Sequence, residues 1–106
     1  MKAERLEREF SERAVPNGDG LLLFRQADAL TLVSRAAEEG VPIREIAGFR
    51  LGESTTEPLA EHREDFSSAV AEGHGCWREA EEFVGRRDAP GVLFRLRLGS
   101  DPIEAV

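Results

Sequence analysis

The chain has 106 residues, 41% hydrophobic and 33% charged, with net charge −7 and a single cysteine. That length supports one core, and so a single domain over residues 1–106, but not a second domain or a deep cofactor cleft. The composition excludes wholesale disorder, and one cysteine excludes an internal disulfide.

Residues 3–14 place Ala3, Leu6, Phe10 and Ala14 among dense opposite charges, a spacing that suits a helix with a thin apolar stripe and leaves a strand open. Charge alternates from Met1 to Glu7 without an apolar core, so this is no signal peptide. Pro16-Asn17-Gly18-Asp19-Gly20 is the strongest turn signal, and residues 1–20 read as one element plus that turn. Leu21–Phe24 reads as a short buried strand; it is the longest apolar run and falls far short of the roughly 20 residues of a membrane span. Residues 26–39 carry Ala27, Leu30, Val33, Ala36 and Ala37 at helical spacing, and Gly40 sits where a left-handed cap belongs. Val41, Ile43, Ile46, Phe49 and Leu51 read as a strand.

Residues 52–72 hold few large apolar residues, only Leu59, Phe66 and Val70, and read as a long acidic excursion with one helical turn. Asp65-Phe66-Ser67 is expected to start that turn through a side-chain oxygen, with Phe66 plugged into the core. Cys76, Trp77, Ala80, Phe83 and Val84 mark a further amphipathic helix, with Arg86 and Arg87 suiting its negative pole. Val92, Phe94, Leu96 and Leu98 alternate with Leu93, Arg95 and Arg97, the clearest strand in the chain. Residues 99–106 read as a loose C-terminus. The order implies an α+β two-layer sandwich: a three- to four-stranded sheet with two or three helices on one face. Trp77, Phe83, Phe94, Leu96, Leu30 and Val33 are the expected core.

Chemistry is sparse. His74 and Cys76 stand two apart, but a zinc site needs three or four convergent ligands, so no metal site is assigned. Gly18-Asp19-Gly20 and Gly73-His74-Gly75 lack the rest of any phosphate-binding pattern and read as turns, so no cofactor is assigned. Paired carboxylates for acid–base work need an apolar surround, which residues 52–72 do not offer. No catalytic residue is assigned, and the chain does not read as an enzyme. Thirteen arginines stand against one lysine, Lys2, and they are scattered, as codon bias from a GC-rich genome would leave them.

Charge is the sharper signal. Residues 52–72 carry Glu53, Glu57, Glu61, Glu64, Asp65 and Glu72 against Arg63, net −5, while the rest of the chain is near neutral. Such a surface repels a phosphate backbone and attracts a basic protein. These six carboxylates are the expected partner-binding residues.

The run Leu22-Leu23-Phe24, Ala27-Asp28-Ala29-Leu30, Val41-Pro42-Ile43, Gly48-Phe49, Asp65-Phe66-Ser67, Trp77 and Phe83 resembles small bacterial immunity proteins of the polymorphic-toxin and colicin type, notably the group catalogued as immunity protein forty. The resemblance covers about residues 21–98 and is a hydrophobic pattern with Gly-Phe and Asp-Phe-Ser punctuation. It implies a cytoplasmic inhibitor that neutralises a cognate toxin by tight binding. With the acidic stretch, it points to a basic toxin, a nuclease among them. The alternative is a small regulatory or structural domain that self-associates through a sheet edge, such as residues 92–98. The chain is accordingly expected to be a monomer or a homodimer, without direct contact to nucleic acid or membrane.

Overall fold

A computed structural model describes residues 2–18, 20–51, 56–87 and 91–99. Helix α1 (Lys2–Phe10) runs into a 3-10 turn (Ser11–Arg13), followed by α2 (Gln26–Glu39), β1 (Ile43–Leu51), β2 (Thr56–Asp65), α3 (Ser67–Ala71), α4 (Trp77–Gly85) and β3 (Val92–Leu98). The strands form one antiparallel sheet in the order β2-β1-β3. This is the expected α+β class, with a three-stranded sheet.

Both β2 and β3 pair antiparallel with β1, so they run parallel to each other on its two sides. The chain between them passes through α3 and α4. Each ladder carries one irregularity. Arg44 is the extra residue where Ile43 meets Leu98 and Glu45 meets Arg97. On the other side the partner of Ala47 is Arg63 while that of Gly48 is Leu59, so Ala60, Glu61 and His62 bulge out of the ladder. A Cβ on Gly48 would stand 2.6 Å from the His62 Cβ, so this bulge closes over a residue without a side chain.

One buried cluster joins the layers. Ile43, Ile46, Val92, Phe94 and Leu96 from the sheet pack with Leu6 and Phe10 of α1, Leu32 and Val33 of α2, and Phe83 and Val84 of α4. Phe10 meets Phe24 edge-to-face with ring centroids 6.4 Å apart. Opposite charges align α1 antiparallel to α2: Arg5 with Glu39 at 3.1 Å, Arg35 with Glu9 at 3.3 Å, and Arg13 with Asp28 at 3.9 Å. These exposed pairs orient more than they stabilise. Gly40 ends α2 at φ 72°, with Val41 N–H donating back to the Ala36 carbonyl at 2.9 Å as in a Schellman cap. Gln26 at the start of α2 donates from Nε2 to the Val84 carbonyl at 3.1 Å, closing the far end of α4.

Residues 3–14 resolve as helix over α1, burying Ala3, Leu6 and Phe10 as their spacing implied. Four expectations need correction. Leu21–Phe24 is not a strand: it touches the sheet at a single bridge, Phe24 to Phe94. Leu23 and Phe24 are buried, so the apolar run packs by its side chains without a ladder. The stripe of α2 is turned by one residue: Ala29, Leu32, Val33 and Ala36 are buried, Ala27 and Ala37 are exposed, and Leu30 only flanks the core. Trp77 likewise flanks the core while Cys76, one residue ahead of α4, is buried. Lastly, residues 56–65 of the expected excursion are a ten-residue strand. Its only buried residue is Leu59, which leaves almost no apolar periodicity to read. Residue Gly99 of the expected loose terminus donates to the Pro42 carbonyl at 2.8 Å, and residues 100–106 lie outside the described residues.

Candidate functional site

The acidic stretch lies along the outer edge of the sheet. Glu57, Glu61 and Glu64 are on β2, Asp65 closes it, and Glu72 follows α3; all five are exposed. Glu53 lies outside the described residues. The register sorts the others by side. Glu57 stands opposite Arg50 and Glu64 opposite Ile46, on the side of the sheet that carries the helices. Asp65 stands opposite Glu45, on the other side, and Glu61 sits in the bulge. The stretch is thus an edge with carboxylates on both sides of it, and no single acidic face.

Asp65 differs from the rest in having a local task. Its Oδ1 accepts from the Ser67 backbone N–H at 2.8 Å, which starts α3, and Phe66 beside it is buried. Hydrogen bonds from Ser67 hold the Asp65 carboxyl below its ordinary range, with smaller help from Arg63 and Arg97. Glu57, Glu61, Glu64 and Glu72 have no ion-pair partner among the described residues. Some carboxylates elsewhere are paired: Glu39 meets Lys2, Arg5 and Arg35, and Glu45 meets Arg63 and Arg97. Arg63, the one cation of the stretch, is turned inward to Glu45 at 3.3 Å and does not neutralise its own neighbours.

Two carboxylates join this edge that the sequence pattern did not mark. Glu79 and Glu82 of α4 line a groove of about 370 Å³ together with Glu64, Phe66, Phe83 and Arg86. Their three-residue spacing placed them on one exposed helix face; that α4 would lie beside the end of β2 was not readable. Arg87 folds back at this groove, its guanidinium 3.6 Å from the centre of the Phe83 ring and donating to the Phe83 carbonyl at 3.0 Å.

No group of three or more His, Cys, Asp and Glu side chains among the described residues is placed to hold a metal ion. Cys76 is buried, and desolvation, seconded by Glu79, pushes its thiol pKa up. His62 belongs to the bulge and His74 to the α3–α4 turn, on different elements. No helix among the described residues is long and apolar enough to cross a membrane. No protein-family model matches the chain, and no curated protein matches it.

Proposed function

We propose that the protein is a binding inhibitor that docks on a basic partner protein through the edge formed by β2 and the groove beside α4. The observation that carries this reading is the set of exposed carboxylates at Glu57, Glu61, Glu64 and Glu72, none in an ion pair among the described residues, although Arg50 stands opposite Glu57 and Arg86 shares the groove with Glu64. Unneutralised charge on a fixed strand keeps its field available to an approaching partner and costs little reorganisation on docking. The likeness of residues 21–98 to bacterial immunity proteins narrows the partner to a toxin with a basic active surface, of which a nuclease is the leading kind.

Association of the chain with the product of the adjacent reading frame tests this, followed by stopped flow across a salt series. The triple variant Glu57→Lys, Glu61→Lys, Glu64→Lys should slow association and flatten its salt dependence. A control that reverses Glu4, Glu12 and Glu81, exposed carboxylates off this edge, should change both far less. Equal behaviour of the two triple variants would place the interface elsewhere.

A further inference from the structure

The side of the sheet away from the helices carries charge of the opposite sign. Arg63 on β2 stands opposite Ala47 on β1, and Ala47 stands opposite Arg95 on β3; Arg97 stands opposite Glu45. Between the two arginine rows is a groove of about 460 Å³, whose lining includes Ala47, Phe49 and Pro58. Three arginines and Glu45 line it, and Asp65 stands opposite Glu45 on the same side, so the face nets +1 on a molecule of net charge −7. Glu45 is already engaged by Arg63 at 3.3 Å and by Arg97 at 3.9 Å. Arg95 has no ion pair among the described residues and is exposed.

We infer that this open face is a second docking surface, which takes an extended protein segment bearing carboxylates on either side of an apolar side chain. The two arginine rows are separated by two strand spacings, about 10 Å, the width of one extended chain laid over the middle strand. Ala47, the smallest side chain on this side of β1, leaves the hollow that the apolar side chain enters, with Phe49 and Pro58 beside it. Carboxylates flanking it reach Arg63 on one side and Arg95 and Arg97 on the other, in the charge-assisted geometry that guanidinium groups favour. A long nucleic acid strand fits poorly, because it would run from this face past the carboxylates of β2.

Panning a random dodecapeptide display library against the full chain tests the inference, with the selected peptides then titrated by fluorescence polarisation. Peptides with net negative charge and an aliphatic or aromatic residue between the acids should be enriched. Arg95→Glu with Arg97→Glu should weaken them by about tenfold or more, as loss of charge-assisted hydrogen bonds does. Ala47→Leu should do the same by filling the hollow without changing charge. Glu57→Lys, Glu61→Lys, Glu64→Lys should leave these peptides bound, so failure of the acidic-edge reading would not mimic failure here. Amide spectra of each variant confirm that the fold is kept. The inference is overturned if acidic-apolar peptides are not enriched, if they bind the Ala47→Leu and arginine variants equally, or if single-stranded oligonucleotides bind this face more tightly. A dimer in light scattering that Ala47→Leu dissolves would also overturn it, in favour of a second copy of the chain.

Discussion

Trp77 is held by its surroundings more than by its own burial. Its Nε1–H donates to the Val41 carbonyl at 2.7 Å, tying the start of α4 to the start of β1. A Cβ on Gly75 would overlap the indole, so Gly75→Ala must displace the ring or the turn. The expected cost is about 1–3 kcal/mol, as for other overpacked sites, with a red-shifted tryptophan emission that chemical denaturation accompanies at lower midpoint. Cys76, next to it, has φ 63° and a buried thiol. Its raised pKa leaves little thiolate at neutral pH, so maleimide labelling of native protein should be slow and should accelerate on unfolding. Asp65 gives a pH signature. Its carboxyl titrates lower folded than unfolded. The stabilisation is therefore complete above the unfolded value, about 3.9, and is lost as pH falls through the folded one. Asp65→Ala should make the loss of stability below about pH 4 shallower, read from urea midpoints at successive pH values. An unchanged acid limb would show that the bond to Ser67 does not survive in solution.

At the level of elements, α4 and β3 were legible because each buries a regular stripe against the same core. Helix α1 was favoured as helix with a strand left open, and β1 was read from its β-branched residues although its burial changes parity across the irregularity at Arg44. Phe94 is fully buried where β3 crosses the cluster, and Phe94→Ala should cost about 3–5 kcal/mol in denaturant titration. The phase of α2 was misread because two alanine-rich stripes overlap in its sequence; Leu32 at the centre of the helix decides which one the core takes. Leu21–Phe24 looks like a strand by composition, yet composition reports burial and not hydrogen bonding. The opposite holds for β2, a strand by hydrogen bonding whose exposure hides it from any periodicity argument. The Asp65-Phe66-Ser67 signal held because it is local: the cap and the plug lie within three residues. The acidic residues were readable as charge, but their division between two sides of an edge depends on a bulge that only the paired strand reveals.

At the level of the whole molecule, charge is distributed by strand. An acidic rim runs down β2 and toward α4, and a basic row occupies the open face between β2 and β3. Pairing of two β2 edges across a two-fold axis would set Glu57, Glu61, Glu64 and Asp65 of one copy against the same residues of the other, a like-charge contact. Pro58 and the bulge at Ala60–His62 blunt the same edge further. Sedimentation at neutral pH and low salt should therefore show no dimer built on this edge. Replacing Glu57, Glu61 and Glu64 by glutamine is the change expected to promote one.

The single buried residue of β2 has a consequence for how such a surface changes over generations. Nine of its ten positions are not buried, and Leu59 alone anchors it to the core. Side chains along the strand can be exchanged with little penalty in folding, since exposed substitutions usually move stability by under about 0.5 kcal/mol. A lineage could therefore rewrite its recognition sequence to follow a drifting partner while the rest of the molecule stays constant. Deep mutational scanning scored for folding alone should show tolerance across residues 56–64 with a sharp exception at Leu59, and a smaller cost at Asp65, whose carboxylate starts α3.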